Sequence, residues 1–238
     1  MRSLKILLII LAITSALSLI FAGPIPHLLQ WLNPHMWLGQ SAWGINHFFY
    51  WQIFTYILVP PLESQASLGF LVNTAFTLYL LYTVGSSMII QKGARAFWML
   101  FAFGGAIGGL MTAVALYVSH ANGLLAGWTP ALYALLMGWM LLNPHARVLV
   151  LFAIPMQVKW VVLGAAAITL YLDLTNGQYL QFIASSSSVL FGYFYAILAW
   201  ETHSPFNTLY RFEKFLHRLK GKKSYEFEVY EAYKRSRS

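Results

Sequence analysis

Six stretches of mostly apolar residues, at 4–22, 68–90, 96–119, 124–142, 156–172 and 179–200, set the terms for this 238-residue chain. Each is about the length a helix needs to cross a hydrocarbon core, roughly 20 residues. Only 9% of the residues are charged and 59% are hydrophobic, whereas an ordinary soluble domain carries about 25% charge. A soluble fold of this size cannot hide that much apolar surface. The expected fold class is all-α, a polytopic membrane bundle of six transmembrane helices over residues 1–203, followed by a basic tail at 204–238. Arg2 and Lys5 stand at the head of the first apolar run as in a signal peptide, but the run is long for one and lacks a small-x-small cleavage site, so it is read as a retained span.

The placement of charge says more than its sum. The net charge is +8, and nine of the fifteen Lys and Arg residues lie after Pro205. Basic charge concentrated beside a membrane domain points to anionic lipid headgroups and away from nucleic acid. The tail begins with Ser204-Pro205, and Leu209, Phe212, Phe215, Leu216 and Leu219 then follow helical spacing. Arg211, Lys214 and Arg218 fill the opposite side, which describes an amphipathic helix lying on a leaflet. Lys220, Lys222 and Lys223 extend this membrane-surface set, and Gly221 stops the helix. Among the connections, Lys92, Arg95 and Arg147 fall between spans two and three and spans four and five, with Lys159 near the start of span five. The other three connections, including all of 23–67, hold no Lys or Arg. Positive charge stays inside, so both termini are expected in the cytoplasm, with a bacterial inner membrane as the expected location.

Residues 23–67 hold four tryptophans, Trp31, Trp37, Trp43 and Trp51, with Phe48, Phe49 and Tyr50 nearby. Such rings favour the headgroup level, and Pro60-Pro61 would end the segment before span two. Gly104, Gly105, Gly108 and Gly109 make overlapping small-residue pairs in span three, and Ser188, Gly192 and Ala196 repeat the spacing in span six. Small residues let helix backbones approach, so these are read as packing positions. Lys159 is read as snorkelling to headgroups. No cysteine is present, which removes disulfides and thiolate chemistry. The seven histidines show no metal-ligand spacing, so no metal or cofactor is expected. No Asp or Glu is placed centrally in a span, and Asp173 stands at the end of span five. That argues against an ion-coupled transporter.

Several motifs, in order, resemble the rhomboid family of intramembrane serine proteases. Trp51-Gln52-Ile53-Phe54-Thr55 is similar to the family's Trp-Arg-x-x-Thr in its first outer loop. Leu71-Val72-Asn73 in span two resembles the end of His-x-x-x-Asn, and Gly127-Trp128-Thr129-Pro130-Ala131 resembles Gly-x-Ser-Gly-Ala at the start of span four. Tyr133 stands four residues after Thr129, where an aromatic is usual. Pro155 to Trp160 resembles the start of the family's fifth span. Ala184-Ser185-Ser186-Ser187-Ser188-Val189-Leu190-Phe191-Gly192-Tyr193 keeps the register of Ala-His-x-x-Gly-x-x-x-Gly-Tyr. The resemblance covers roughly residues 5–200.

The same alignment removes the chemistry that the family implies. The resemblance puts Thr129 at the nucleophile position, Ser185 at the base position and Gly69 at the histidine of span two. Gln52 replaces the loop arginine, and Met88 replaces an acidic residue. A hydroxyl is a weak nucleophile without a base, and serine cannot take a proton near pH 7. Pro130, in place of glycine, is expected to disturb the turn that presents the hydroxyl. The family's packing glycine persists at Gly192, while Ser188 replaces the other and suggests looser packing there. The resemblance therefore implies a pseudoprotease, with transmembrane client proteins as partners. Asn73, Thr129, Tyr133, Gln181 and Ser185 are the candidate pocket residues, with no catalytic residue expected. Two other readings stay open. One is a noncanonical intramembrane endopeptidase using Thr129 or a serine of 185–188. The other is a small-solute channel or transporter.

Overall fold

The computed structural model describes residues 2–22, 33–61, 68–119, 123–150, 154–200 and 202. It is a mostly helical bundle. Among the described residues, five helices are long and apolar enough to cross a membrane: α1 (Arg2–Ala22), α5 (Leu68–Lys92), the continuous span Ala94–Ser119, α9 (Val158–Thr175) and α10 (Tyr179–Trp200). The chain is therefore a multi-pass membrane protein. The span Ala94–Ser119 has three parts: α6 (Ala94–Trp98), a π-helical turn (Met99–Phe103) and α7 (Gly104–Ser119).

The fourth apolar run departs from expectation. Its helix, α8, covers only Thr129–Leu142, about 21 Å of rise for 14 residues at 1.5 Å each. Leu124–Leu125 instead forms strand β2, paired antiparallel with β1 (Gln40–Ser41). Gly127 explains the break. Its φ is +130°, open to glycine and strained for other residues, and its N–H donates to the Tyr56 carbonyl at 3.1 Å. Pro130 does not disturb the helix start: it occupies the first turn, where no backbone donor is needed. Between α8 and α9 lies a further difference, a hairpin of β3 (Arg147–Val150) and β4 (Ile154–Gln157), with Arg147 opposite Gln157. The fifth span accordingly begins at Val158 and runs to Thr175. There the Lys159 ammonium lies 5.6 Å from the Trp160 ring centroid.

The short helix α8 is the hub. Eleven of its residues are buried, on every face, as expected for a helix enclosed by others. It packs most extensively on α10 and also meets α5, α7, α9 and the π turn. Helix α9 is the opposite case: its buried positions, Val158, Val162, Ala166 and Asp173, make one thin stripe.

Small residues set the closest approaches. A Cβ on Gly104 would collide with Ala134 Cβ of α8, and one on Gly192 would lie 2.5 Å from the Ala134 carbonyl oxygen. A Cβ on Gly108 would meet Ser188 Oγ at 2.7 Å. Ser188 does not loosen this seam. It is fully buried, and its Oγ lies 2.8 Å from the carbonyls of both Gly104 and Ala184, to either of which its one proton can be donated. Gly105 and Gly109 face a different neighbour, the Ile53–Ile57 stretch of the preceding connection.

That connection folds into α2 (Pro34–Leu38), β1, α3 (Ala42–Asn46), α4 (Gln52–Thr55) and a 3₁₀ turn (Tyr56–Leu58). Gln52, the position of the resemblance's loop arginine, is fully buried. Its Oε1 accepts from the Ser41 N–H at 3.2 Å, and its Nε2 points at the Met36 and Trp37 carbonyls at 3.4 and 3.5 Å. Thr55 donates to the Leu38 carbonyl at 3.0 Å. Tyr56 donates to the Gly105 carbonyl, and Gln40 Nε2 to the Gly109 carbonyl, each at 2.8 Å. The segment is thus pinned to the glycine face of α7. Its rings point away: Trp37, Trp43, Phe48, Tyr50 and Trp51 are exposed, and Phe49 stacks on Trp51 at 4.5 Å between centroids. Trp31 and the basic tail, including Arg211, Lys214, Arg218, Lys220, Lys222 and Lys223, lie outside the described residues.

Candidate functional site

Five helices end around one cavity of about 660 Å³. The α8 start brings Thr129, the α10 start brings Gln181 and Ile183, and the first turns of α5 bring Asn73. The last turns of α9 and α7 supply Thr169, Asp173 and Ser119, while Pro61 and the β2 strand close the rim. The short helix makes this possible. Because α8 begins only at Thr129, the space above it is left to the cavity.

Four polar residues of the lining are unpaired, while Thr169 accepts from Tyr133 and Ser119 donates to the Ala115 carbonyl. Asn73, Thr129, Gln181 and Asp173 make no side-chain hydrogen bond among the described residues. Asp173 is 6% exposed, and its Oδ2 is buried without a partner. Its main-chain carbonyl accepts the Gln178 N–H at 2.8 Å, fixing the α9–α10 turn. A buried polar group without a partner costs about 1–3 kcal/mol, and more if charged. These groups therefore stand ready for whatever fills the cavity.

The remaining sequence candidates lie elsewhere. Tyr133 is buried in α8 and is not in the cavity wall; its hydroxyl donates to Thr169 Oγ1 and, at 3.4 Å, approaches the Ala165 carbonyl. Ser185 is fully buried, and its Oγ has no partner among the described residues. It does not line the cavity, and neither do the other serines of 185–188. Ser186 and Ser187 turn back to the Ile183 carbonyl. Gly69 is an exposed residue in the first turn of α5. The alignment's nucleophile and base positions thus do not share the cavity wall: Thr129 is in it and Ser185 is not.

Chemically the cavity offers hydroxyls, amides and one carboxylate. A general base must sit within hydrogen-bond reach of the group it deprotonates, roughly 2.6–3.2 Å, and nothing described bonds to the Thr129 hydroxyl. His35 lies in α2, with its Nδ1 buried and unpaired and its pKa lowered by burial. His47 stacks on Trp43, with Nδ1 2.8 Å from the Trp43 carbonyl. His120 lies outside the described residues. Among those described, no three His, Cys, Asp or Glu side chains gather as metal ligands would.

Asp173 is the cavity residue that the sequence motifs do not mark. In the sequence it stands only as an acid at the end of a span. The available signal was its isolation: outside the basic tail and Glu63, the chain has few acidic residues, and none is central to a span. No family model matches the chain, and no curated protein is detectably similar to it.

Proposed function

We propose that this chain is a rhomboid-like pseudoprotease that holds transmembrane segments of client proteins without cutting them. The observation that carries the reading is the cavity itself, whose Asn73, Thr129 and Gln181 side chains are unpaired while the base position, Ser185, is sealed away from Thr129's wall. A helix arriving from the lipid brings backbone and polar groups that need partners once water is excluded. Unpaired hydroxyl and amide groups supply them. In this reading α8 is the sixth span, a short helix held inside the other five, which fits a scaffold that opens a cavity from one face only. The lysine- and arginine-free connections then lie outside, both termini lie in the cytoplasm, the basic tail rests on anionic lipid, and the membrane is a bacterial inner membrane.

A channel or transporter is disfavoured by what lies beyond Thr129. The cavity lining stops there on α8, and the following turns are buried apolar side chains from Ala131 to Leu141. An endopeptidase built on Thr129 would need a base hydrogen-bonded to its hydroxyl, and no such bond is found among the described residues.

The test uses full-length protein in native membranes, with a photo-crosslinking residue at position 181. The expected result is adducts to intact membrane proteins, together with no cleavage of single-span substrates by the purified protein. Cleavage that disappears in Thr129→Ala or Ser185→Ala would overturn the reading, as would the absence of membrane-protein adducts.

A further inference from the structure

Asp173 sits in the last turn of α9, an end where backbone carbonyls already carry partial negative charge. A carboxylate there opposes the helix dipole. Asp173 lines the cavity wall, and its Oδ2 is buried and unpaired among the described residues. Nothing described in that wall is Lys, Arg or His. The sequence leaves little else to offer: the connections at this end, 23–67, 120–128 and 176–178, contain no Lys or Arg. Their only basic side chains are His27, His35, His47 and His120, and an unperturbed histidine is mostly neutral at pH 7.

The open cavity leaves water only the small exposed edge of Asp173. An occupant that expels the water must replace that hydration, because an unpaired buried charge is heavily penalised. An apolar segment cannot do so, and an acidic one adds repulsion. A side-chain ammonium or guanidinium meets the need directly, with the neighbouring Thr169 hydroxyl and Gln181 amide to share its remaining polar contacts.

We propose that the cavity selects client segments that bring a positive charge, with the Asp173 carboxylate pairing with a client lysine or arginine. This inference rests on the client-holding reading and names the class of segment held.

The test places the full-length protein in lipid vesicles with fluorescent single-span peptides and measures association by energy transfer. One lysine is moved stepwise along the half of the peptide nearest the cavity, and each peptide is compared with its acetyl-lysine twin, which keeps the stem and loses the charge. The best-placed lysine is expected to bind about tenfold more tightly than its twin, a readily measured change in Kd. In Asp173→Asn that ratio should fall to within about twofold. Equal binding of every lysine and acetyl-lysine pair by the unaltered protein overturns the inference and leaves client holding intact, without relying on any variant. A lysine preference undiminished in Asp173→Asn overturns the assignment to Asp173. Failure of every peptide to associate overturns this inference and the client-holding reading together.

Discussion

Two polar regions border the same end of the bundle and use their polarity in opposite ways. In the segment from Gln40 to Tyr56, side-chain donors are committed to backbone carbonyls: Gln40 to Gly109, Thr55 to Leu38 and Tyr56 to Gly105. In the cavity, Asn73, Thr129, Gln181 and Asp173 are committed to nothing described. Both sets sit beside tightly packed helices. The first converts hydrogen bonds into a fixed loop, and the second leaves capacity for a visitor. A polar residue near a membrane span is thus not one kind of thing, and only its partners say which kind it is.

The contrast can be broken from its packed side first. Gly192→Val should cost about 1–3 kcal/mol through overpacking against Ala134, read as unfolding in mixed micelles. Gly164→Ala, with nothing within 4 Å of its Cβ position, should be neutral or slightly stabilising; equal costs for the two would mean the seam is not what limits this bundle. Next, Gln52→Ala should cost about 1–3 kcal/mol by stranding the Ser41 N–H and emptying the space beside Gly44. Limited proteolysis of residues 33–61 should rise with it, and a protease-resistant variant would show that the loop is held by other contacts.

A smaller effect is expected with pH. Burial lowers the folded pKa of His35 below its ordinary 6.5. Above pH 6.5 both folded and unfolded forms are neutral there, and stability is at its full value. As pH falls below 6.5 the unfolded form takes up the proton first, so stability drops and levels off only below the folded value. The 33–61 segment should be more protease-sensitive at pH 5 than at pH 7.5, and His35→Gln should flatten that difference. The smallest effect belongs to the cavity: Asn73→Ala or Gln181→Ala should change stability by less than about 0.5 kcal/mol. A loss comparable to that of Gln52→Ala would erase the distinction between committed and uncommitted polarity.

The sequence exposed the long spans well because each is one apolar run with sharp ends. The run at 179–200 is the full length of α10, and 68–90 stops two residues short of α5. It misplaced the start of α8 because Leu124, Leu125 and Ala126 are as apolar as the helix that follows. What pulls Leu124 and Leu125 into a strand is Gln40 and Ser41, more than eighty residues earlier, and no local periodicity carries that. The hairpin before α9 was hidden likewise, since a short apolar run reads equally as strand or helix. At the cavity, Asn73, Thr129 and Gln181 could be singled out as polar residues near helix ends. Ser185 and Tyr133 satisfied the same rule and yet point elsewhere, because rotation about the helix axis decides which side chain meets the cavity. Asp173 needed the three-dimensional count of absent partners to stand out.

The π turn at Met99–Phe103 has a consequence for how this chain tolerates change in length. A π turn holds one residue more than an α turn would. Removing one residue from 99–103 would restore a regular helix and leave α7 near its present direction, whereas removing one from within α6 would swing everything after it by about 100°. Gly104 and Gly108 would leave α8 and α10, and Gly105 and Gly109 would leave the pinned loop. A deletion scan across Ala94–Ser119 should therefore find its mildest losses within 99–103 and steeper ones in the α-helical turns on either side.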